Sequence, residues 1–204
     1  GRVDFEGTGY APEGAIRSAD GGAVEGDLHA ELVRLLTAAE RANKDSFLNE
    51  LCDLLEVARP GVAGAGGDYV FEFAVPNRLA DGRATTNFAD LYKAGHFVLE
   101  AKQGSHDGRS GIGKRLSPQW TAEMQNALGQ ALGYAKAVDR PPPFLIVCDL
   151  GFCFDLYAQF DGSGIWHAFP DAQRRRILLT DLRKPAVLDT LRAVFEEPLS
   201  LDPS

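Results

Sequence analysis

The chain has 204 residues, of which 45% are hydrophobic and 25% are charged, and these values are ordinary for one globular domain with a core of its own. The formal net charge of −8 argues against simple, non-specific binding of nucleic acid. It does not exclude a nuclease, because carboxylates that hold metal ions add negative charge themselves. No apolar run is long enough to cross a bilayer, so we expect no membrane partner.

The amino-terminal part divides into two regions. Residues 1–26 are rich in Gly, Ala and acidic groups and show no periodicity, so we expect a mobile lead-in; the start at glycine rather than methionine is typical of a processed or cloned end. Beyond it, leucines recur at helical spacing and predict two helices, with Asn43 or Asp45 as the cap of the second. We therefore expect the folded domain to span residues 27–204.

Strands and helices then alternate along the chain. Three strands are predicted in YVFEFAV, NFADLYK and HFVLEAKQ, followed by a polar, glycine-rich loop over 104–117 and a helix that begins at Pro118. Two more strands, Phe144–Cys148 and FCFDLYAQF, precede a closing helix at Pro185–Glu197. We expect RRR at 174–176 to be a solvated turn, with contact to a DNA backbone as the other interpretation. This order predicts an α/β domain with a mixed central sheet flanked by helices.

The cysteines define the expected redox environment. There are three of them, an odd number, and none forms a C-x-x-C pair, so neither a zinc knuckle nor a disulfide framework is supported. Because Cys52, Cys148 and Cys153 all fall in apolar surroundings, we expect reduced core residues in a cytoplasmic protein.

The second and third predicted strands carry charges where a half-buried sheet would not ordinarily place them. In NFADLYKAGHFVLEAKQG, Glu100 and Lys102 share one face because side chains alternate along a strand. A two-residue turn at Ala94-Gly95 would put Asp90 on the other face. A three-residue loop, Lys93-Ala94-Gly95, would make Asp90 and Glu100 diagonal neighbours on one face, about 7–8 Å apart. Gly95 favours the longer loop, since a left-handed residue is needed at its end.

Two interpretations of this charged hairpin stay open on these residues alone. Two carboxylates on neighbouring strands suit Mg²⁺ or Mn²⁺, and a lysine beside them can orient or help deprotonate a metal-bound water. A solvated hairpin face with alternating charge and no function is the other interpretation.

A helix motif downstream gives the pattern a family resemblance. Gln130 and Tyr134 lie one turn apart on the helix that follows the charged strand. The D-x9-E-x-K spacing followed by Q-x-x-x-Y resembles the PD-(D/E)xK nuclease superfamily. Together with FLNELCDLLEV, YVFEFAVPN, PPPFLIVCDLGFCFDLYA and LRAVFEEPLSLDP, in order from about Asn43 to Pro203, it resembles the amino-terminal domain of MmeI-like type IIL restriction–modification enzymes.

The resemblance implies a restriction-endonuclease-like core and a role for each motif residue. Asp90 and Glu100 would hold Mg²⁺, for which Mn²⁺ substitutes, and the Ala101 carbonyl would complete the metal site. Lys102 would serve the attacking water. The catalytic set implied for this chain comprises Asp90, Glu100, Lys102, Gln130 and Tyr134.

The resemblance leaves the roles of two further carboxylates open. Glu50 matches a helix carboxylate that often approaches the metal, although a Glu on an amphipathic helix is usually solvated. Glu72 has two interpretations, a supporting role behind the metal ligands and simple exposure. Both residues are treated as candidates.

The implied activity is that of a Mg²⁺-dependent endodeoxyribonuclease acting on double-stranded DNA. Methyltransferase and target-recognition regions would belong to the same parent polypeptide. Two alternatives remain: a non-catalytic docking or scaffold domain of a DNA methyltransferase, and a structure-selective nuclease. The loop at 104–117 is longer than is usual in the family and carries Arg109, Lys114 and Arg115, so it is either a phosphate-contacting flap or a mobile surface loop.

Overall fold

The computed structural model describes residues 22–41, 43–62 and 67–204, with side chains from residue 26 onward. Residues 1–21 of the expected lead-in therefore lie outside the described residues. The described residues divide into two compact units, with the boundary between Glu56 and Val57. Within the described ranges, no helix combines the length and the apolar character that a bilayer crossing requires.

The first unit contains two helices that pack on each other, α1 (Gly22–Glu40) and α2 (Lys44–Leu55). Helix α1 begins before the expected boundary at residue 27. Of the two predicted caps, Asn43 is the one used: its Oδ1 accepts a hydrogen bond from the Ser46 N–H at 3.0 Å, which satisfies one of the unpaired donors at the helix start.

The second unit is built on a seven-stranded mixed sheet. Its strands are β1 (Tyr69–Arg78), β2 (Ala84–Lys93), β3 (Phe97–Lys102), β4 (Phe144–Asp149), β5 (Cys153–Ala158), β6 (His167–Ala168) and β7 (Arg176–Leu178). They are ordered β1-β2-β3-β4-β5-β6, and β7 also pairs with β5. The β3–β4 pair is parallel and the others are antiparallel.

These bounds confirm the α/β fold and all five strands that the sequence predicted. Strands β6 and β7 were not predicted, because segments of two and three residues are too short to show alternation.

Helices α3 (Pro118–Ala137) and α4 (Pro185–Glu196) flank the sheet of this unit. Helix α3 packs on β3 and β4, and its buried residues form one core cluster with Val98 and Val147 of those strands. Helix α4 contacts the other face, because its Phe195 ring lies 4.6 Å from the ring of Phe97, the strand neighbour of Val98. Short 3₁₀ helices at Leu179–Arg183 and Pro198–Leu201 flank α4.

The expected solvated turn at residues 174–176 is wrong for Arg176. This residue belongs to β7, and its guanidinium binds both carboxylate oxygens of Asp155 at 2.7 and 2.9 Å while lying 4.8 Å from the Trp120 ring centroid. The run of three arginines concealed this role because the partner, Asp155, is buried on another strand. Arg174, by contrast, is exposed and pairs with Asp171.

Candidate functional site

The turn between β2 and β3 decides how the two motif carboxylates meet. Lys93 pairs with Phe97, so the loop is the predicted three residues long but runs from Ala94 to His96, one position later than expected. The reason is local: the His96 N–H donates to the Lys93 carbonyl at 3.0 Å, which makes Gly95 (φ +72°) the third residue of that turn, where a left-handed conformation is favoured.

The shifted register places Asp90 directly opposite Glu100. The expected diagonal arrangement is therefore wrong, while the expectation that both residues lie on the same face agrees with the register. The paired ladder of β2 and β3 ends at Leu91 and Leu99, so the two carboxylates lie where the strands begin to separate.

Each carboxylate accepts a backbone hydrogen bond from the facing strand. The Asp90 N–H donates to Glu100 Oε1 at 3.2 Å, and the Ala101 N–H donates to Asp90 Oδ2 at 2.7 Å. Where β2 and β3 begin to separate, these two N–H groups thus bond to side-chain carboxylates of the facing strand instead of to its backbone carbonyls. These bonds hold both side chains beside the opening, and they give the buried Glu100 carboxyl group, at 4% exposure, a hydrogen-bond partner.

Glu72 adds a third carboxylate to the same row. Strand β1 pairs with β2 at Phe71–Leu91 and again at Phe73–Ala89, but not at the intervening position, which sets Glu72 opposite Asp90. Glu72 also has φ +49°, which is uncommon for a residue other than Gly, Asn or Asp. The sequence left the role of Glu72 open; aligning FEFAV with NFADL as an antiparallel hairpin would have pointed to this row.

Helix α3 brings Tyr134 to the carboxylate row. Burial raises the pKa of its phenol, and Glu100, Asp90 and Glu72 raise that pKa further in this order. The phenol therefore lies within electrostatic reach of all three carboxylates. It is protonated near neutral pH and can act there as a hydrogen-bond donor.

A cavity of about 320 Å³ opens beside Tyr134. Its helix side is formed by Gly129, Gln130, Gly133 and Tyr134, and its strand side includes Asn77 and Asn87. Both motif residues of α3 thus line one groove, which lies between this helix and strands β1 and β2.

Lys102 occupies the last position of β3. Strand alternation puts its side chain on the face of Glu100, where it is half-buried. Its backbone is fixed by β4, since Lys102 pairs with Asp149 and the Leu150 N–H donates to its carbonyl at 2.8 Å.

Glu50 belongs to the helical unit. It lies on α2, and its carboxylate is 4.0 Å from the guanidinium of Arg34. Its assignment as a metal ligand stays a prediction.

The donor chemistry of the row fits a hard divalent cation, but the side chains are not gathered as a complete cage. Asp90 and Glu100 offer the carboxylate oxygens that Mg²⁺ prefers, and the Ala101 carbonyl lies on the same strand. Over the ranges that the structure covers, no three His, Cys, Asp or Glu side chains are close enough together to hold an ion. The row is a pair of opposed carboxylates with Glu72 beside it.

The mixed sheet, its carboxylate hairpin and the helix laid against it define a restriction-endonuclease-like α/β domain. More narrowly, the family described as "MmeI, N-terminal domain" matches residues 25–202, and the chain belongs to that family. It is thus a domain of the restriction–modification type. Comparisons with curated proteins and with solved structures gave no match.

Proposed function

We propose that this chain is the Mg²⁺-dependent endodeoxyribonuclease domain of a restriction–modification enzyme and hydrolyses phosphodiester bonds of double-stranded DNA. The observation that carries the proposal is the pair of opposed carboxylates, Asp90 and Glu100, at the opening between β2 and β3, with Lys102 on the same strand face. Membership of the MmeI amino-terminal family supports it.

In this proposal Asp90, Glu100 and the Ala101 carbonyl hold the cation. When bound, Mg²⁺ supplies a Lewis acid for the phosphate and lowers the pKa of a coordinated water. To bind an ion, the two carboxylates must leave their backbone hydrogen bonds or share them with the ion.

The remaining motif residues act on the substrate. Lys102 places a positive charge on the face where the scissile phosphate would lie, where it can orient the attacking water and stabilise charge on the phosphate. The Tyr134 phenol, protonated at neutral pH, and the Gln130 amide can donate to phosphate oxygens along the groove. Mn²⁺ is expected to substitute for Mg²⁺.

The partners follow from the proposed activity. Methyltransferase and target-recognition regions of the same parent polypeptide would select the DNA sequence, and the present domain would cut. A non-catalytic docking domain is the second candidate, because both motif carboxylates are engaged by backbone N–H groups and the described residues form no three-ligand cluster.

The test separates metal binding from chemistry. Calorimetric titration with Mn²⁺ and cleavage of supercoiled plasmid are measured for the wild type, Asp90→Asn and Lys102→Ala. Asp90→Asn should lose both activities, whereas Lys102→Ala should keep Mn²⁺ binding and cleave about 10²–10⁴-fold more slowly.

Lys184→Ala is the matched control, because Lys184 is an exposed lysine beside α4, on the opposite side of the sheet from the motif. It should bind metal and cleave like the wild type. A wild type that neither binds Mn²⁺, with or without DNA, nor cuts plasmid would favour the docking domain instead.

A further inference from the structure

The segment between β3 and α3, residues 103–117, is a folded structure, and we call it the β3–α3 loop. Its two arms are joined by backbone hydrogen bonds: the Ser105 N–H donates to Gly113, the Ile112 N–H to Gln103 and the Arg115 N–H to Ser105, at 2.9 to 3.0 Å. A Cβ added to Gly111 would lie 1.9 Å from the Gln103 carbonyl oxygen. The two arms therefore fit closely, which favours a defined shape over an open surface loop.

The loop is tied to the core through one buried carboxylate. Asp149 has no exposed surface, and its oxygens accept hydrogen bonds from the Gly104 N–H at 3.1 Å, the Trp120 Nε1–H at 2.7 Å and the Arg115 Nε–H at 3.1 Å. The start of the loop, its end and the first turn of α3 thus meet at a single residue. Because Asp149 also pairs with Lys102, the loop has a fixed position next to the proposed catalytic lysine.

The loop is locally basic in an acidic chain. Residues 103–117 contain three Lys or Arg residues and a single acidic residue, Asp107, a net charge of +2 against −8 for the whole chain. Arg115 is occupied by Asp149, so of the three loop cations that we expected as candidates for phosphate contact, Arg109 and Lys114 remain.

Both remaining cations project into solvent. Lys114 is exposed, and no carboxylate in the described part of the chain forms a salt bridge with it. The Arg109 side chain is 88% exposed, and its Nε lies 3.7 Å from the Asp107 carboxylate. An ion pair of this length at the surface is weak and readily exchanged for a phosphate.

We propose that the β3–α3 loop is a clamp for the sugar–phosphate backbone of DNA, in which Lys114 and Arg109 contact phosphates beside the one that is cut. The inference rests on the proposed function, since it takes the DNA to lie over the Lys102 end of β3. It adds a contact surface that the motif residues do not supply. The rigid attachment through Asp149 fixes the distance between these phosphate contacts and the reacting phosphate.

The salt dependence of binding tests the clamp. The affinity for a labelled DNA duplex of arbitrary sequence is measured by fluorescence anisotropy over a series of NaCl concentrations. Each phosphate contact contributes about 0.9 to the slope of log affinity against log salt. Lys114→Ala and Arg109→Ala should each reduce the magnitude of that slope by about 0.9, the contribution of one phosphate contact. This equals a loss of about 3.5-fold in the affinity ratio over a fourfold range of salt.

Two matched controls exist in the same unit. Arg174 is exposed and pairs with the nearby Asp171, as Arg109 pairs with Asp107, and Lys184 is an exposed lysine that pairs with Asp181. Arg174→Ala and Lys184→Ala should leave the slope unchanged. All four side chains lie at the surface, so the melting temperature should confirm that every variant is folded.

The outcomes distinguish this inference from the proposed function. A double variant, Arg109→Ala with Lys114→Ala, that retains the wild-type slope overturns the clamp, and so does a wild type without salt-dependent binding. Mn²⁺ titration and plasmid cleavage are recorded in parallel. If the wild type binds Mn²⁺ normally and the double variant keeps the wild-type slope, the clamp alone is wrong. If the wild type neither binds Mn²⁺ nor cleaves plasmid, the nuclease proposal is wrong.

Discussion

Asp90 has a structural role as a hydrogen-bond acceptor and a proposed role as a metal ligand, and a single substitution can separate the two. Its carboxylate accepts the Ala101 N–H at 2.7 Å, which is a structural task, and it is the proposed metal ligand. An amide side chain of the same shape can fulfil the first task but is a poor ligand for Mg²⁺. The residue therefore offers an internal control for the proposed chemistry.

We expect Asp90→Ala to lower the free energy of unfolding by about 1–3 kcal/mol, because the part-buried Ala101 N–H loses its acceptor. Asp90→Asn retains a carbonyl acceptor and should lie closer to the wild type in stability. Both variants should lose Mn²⁺ binding. Urea unfolding and calorimetry measure the two effects, and equal stability of Asp90→Ala and the wild type would show that the hydrogen bond contributes nothing.

Glu72 shows how an irregular backbone can place a side chain. A left-handed conformation is unfavourable for a glutamate, by about 1–2 kcal/mol, and glycine would adopt it at lower cost. The chain nevertheless carries a carboxylate there, directly opposite Asp90. Strained residues of this kind cluster at functional sites, which agrees with a place in the site for Glu72.

At the scale of elements, helix α3 supplies one wall of the groove through two glycines. A Cβ added to Gly129 or Gly133 would meet nothing within 4 Å, although glycine in a helix interior is unfavourable. Internal packing therefore does not require a glycine at either position. The open space lies on the side of the cavity that Gln130 and Tyr134 also line.

Gly133→Ala should raise the free energy of unfolding by about 0.5–1 kcal/mol, because alanine is the better helix former. Gly133→Leu should leave the helix folded and fill the groove. If a DNA strand lies there, the leucine variant should cleave plasmid more slowly while binding Mn²⁺ normally. Chemical denaturation and plasmid assays provide the measurements, and wild-type cleavage by Gly133→Leu would exclude the groove as the DNA path.

The Asp149 network joins three elements and should dominate their stability. Asp149→Ala leaves the half-buried Arg115 without its carboxylate partner, although the bond to the Leu150 carbonyl remains. It also removes the acceptor of two N–H groups, so we expect a loss of about 3–5 kcal/mol in the free energy of unfolding. Asp149→Asn keeps one oxygen acceptor and should lose less. The free energy of unfolding in urea checks the order of the three proteins. A stability of Asp149→Ala within error of the wild type would contradict it.

At the scale of the whole molecule, the three cysteines are free and buried, as the sequence predicted for reduced core residues. Burial raises the pKa of Cys148 well above its usual range and raises that of Cys153 to about 12. A raised pKa favours the neutral thiol, so the thiolate is scarce at pH 8 and burial also denies access. As the pH rises through the ordinary pKa of a cysteine, the unfolded chain releases thiol protons that the folded chain retains. The folded state therefore loses stability through these groups only from that pH upward.

Alkylation by iodoacetamide at pH 8 should therefore be slow for all three thiols in the native protein and fast after unfolding in urea. Mass spectrometry of the labelled protein counts the modified cysteines over time. Rapid native labelling of Cys148 or Cys153 would show that the sheet opens locally. The same experiment on Asp149→Ala reports whether loss of the network loosens β4, since Cys148 is its strand neighbour.

The sequence by itself determined the features that depend on local periodicity. Alternating or apolar runs gave five strands, and helical spacing, helix-forming residues and prolines gave the helices. Asn43 was one of two predicted caps, and the two motif spacings together with the ordered set of segments gave the family resemblance. Asp90 and Glu100 could be brought together because one short hairpin joins them, so an error of one residue in the loop position left them on the same face.

The tertiary structure alone decided what depends on pairing between distant segments. The register of β1 places Glu72 in the row. Arg115 pairs with Asp149, 34 residues away, and Arg176 pairs with Asp155 on the adjacent strand, 21 residues away. None of these pairings leaves a periodic pattern in the sequence. The two arginine pairings are set by the burial of a carboxylate that then requires a partner, and burial is a property of the packed sheet as a whole.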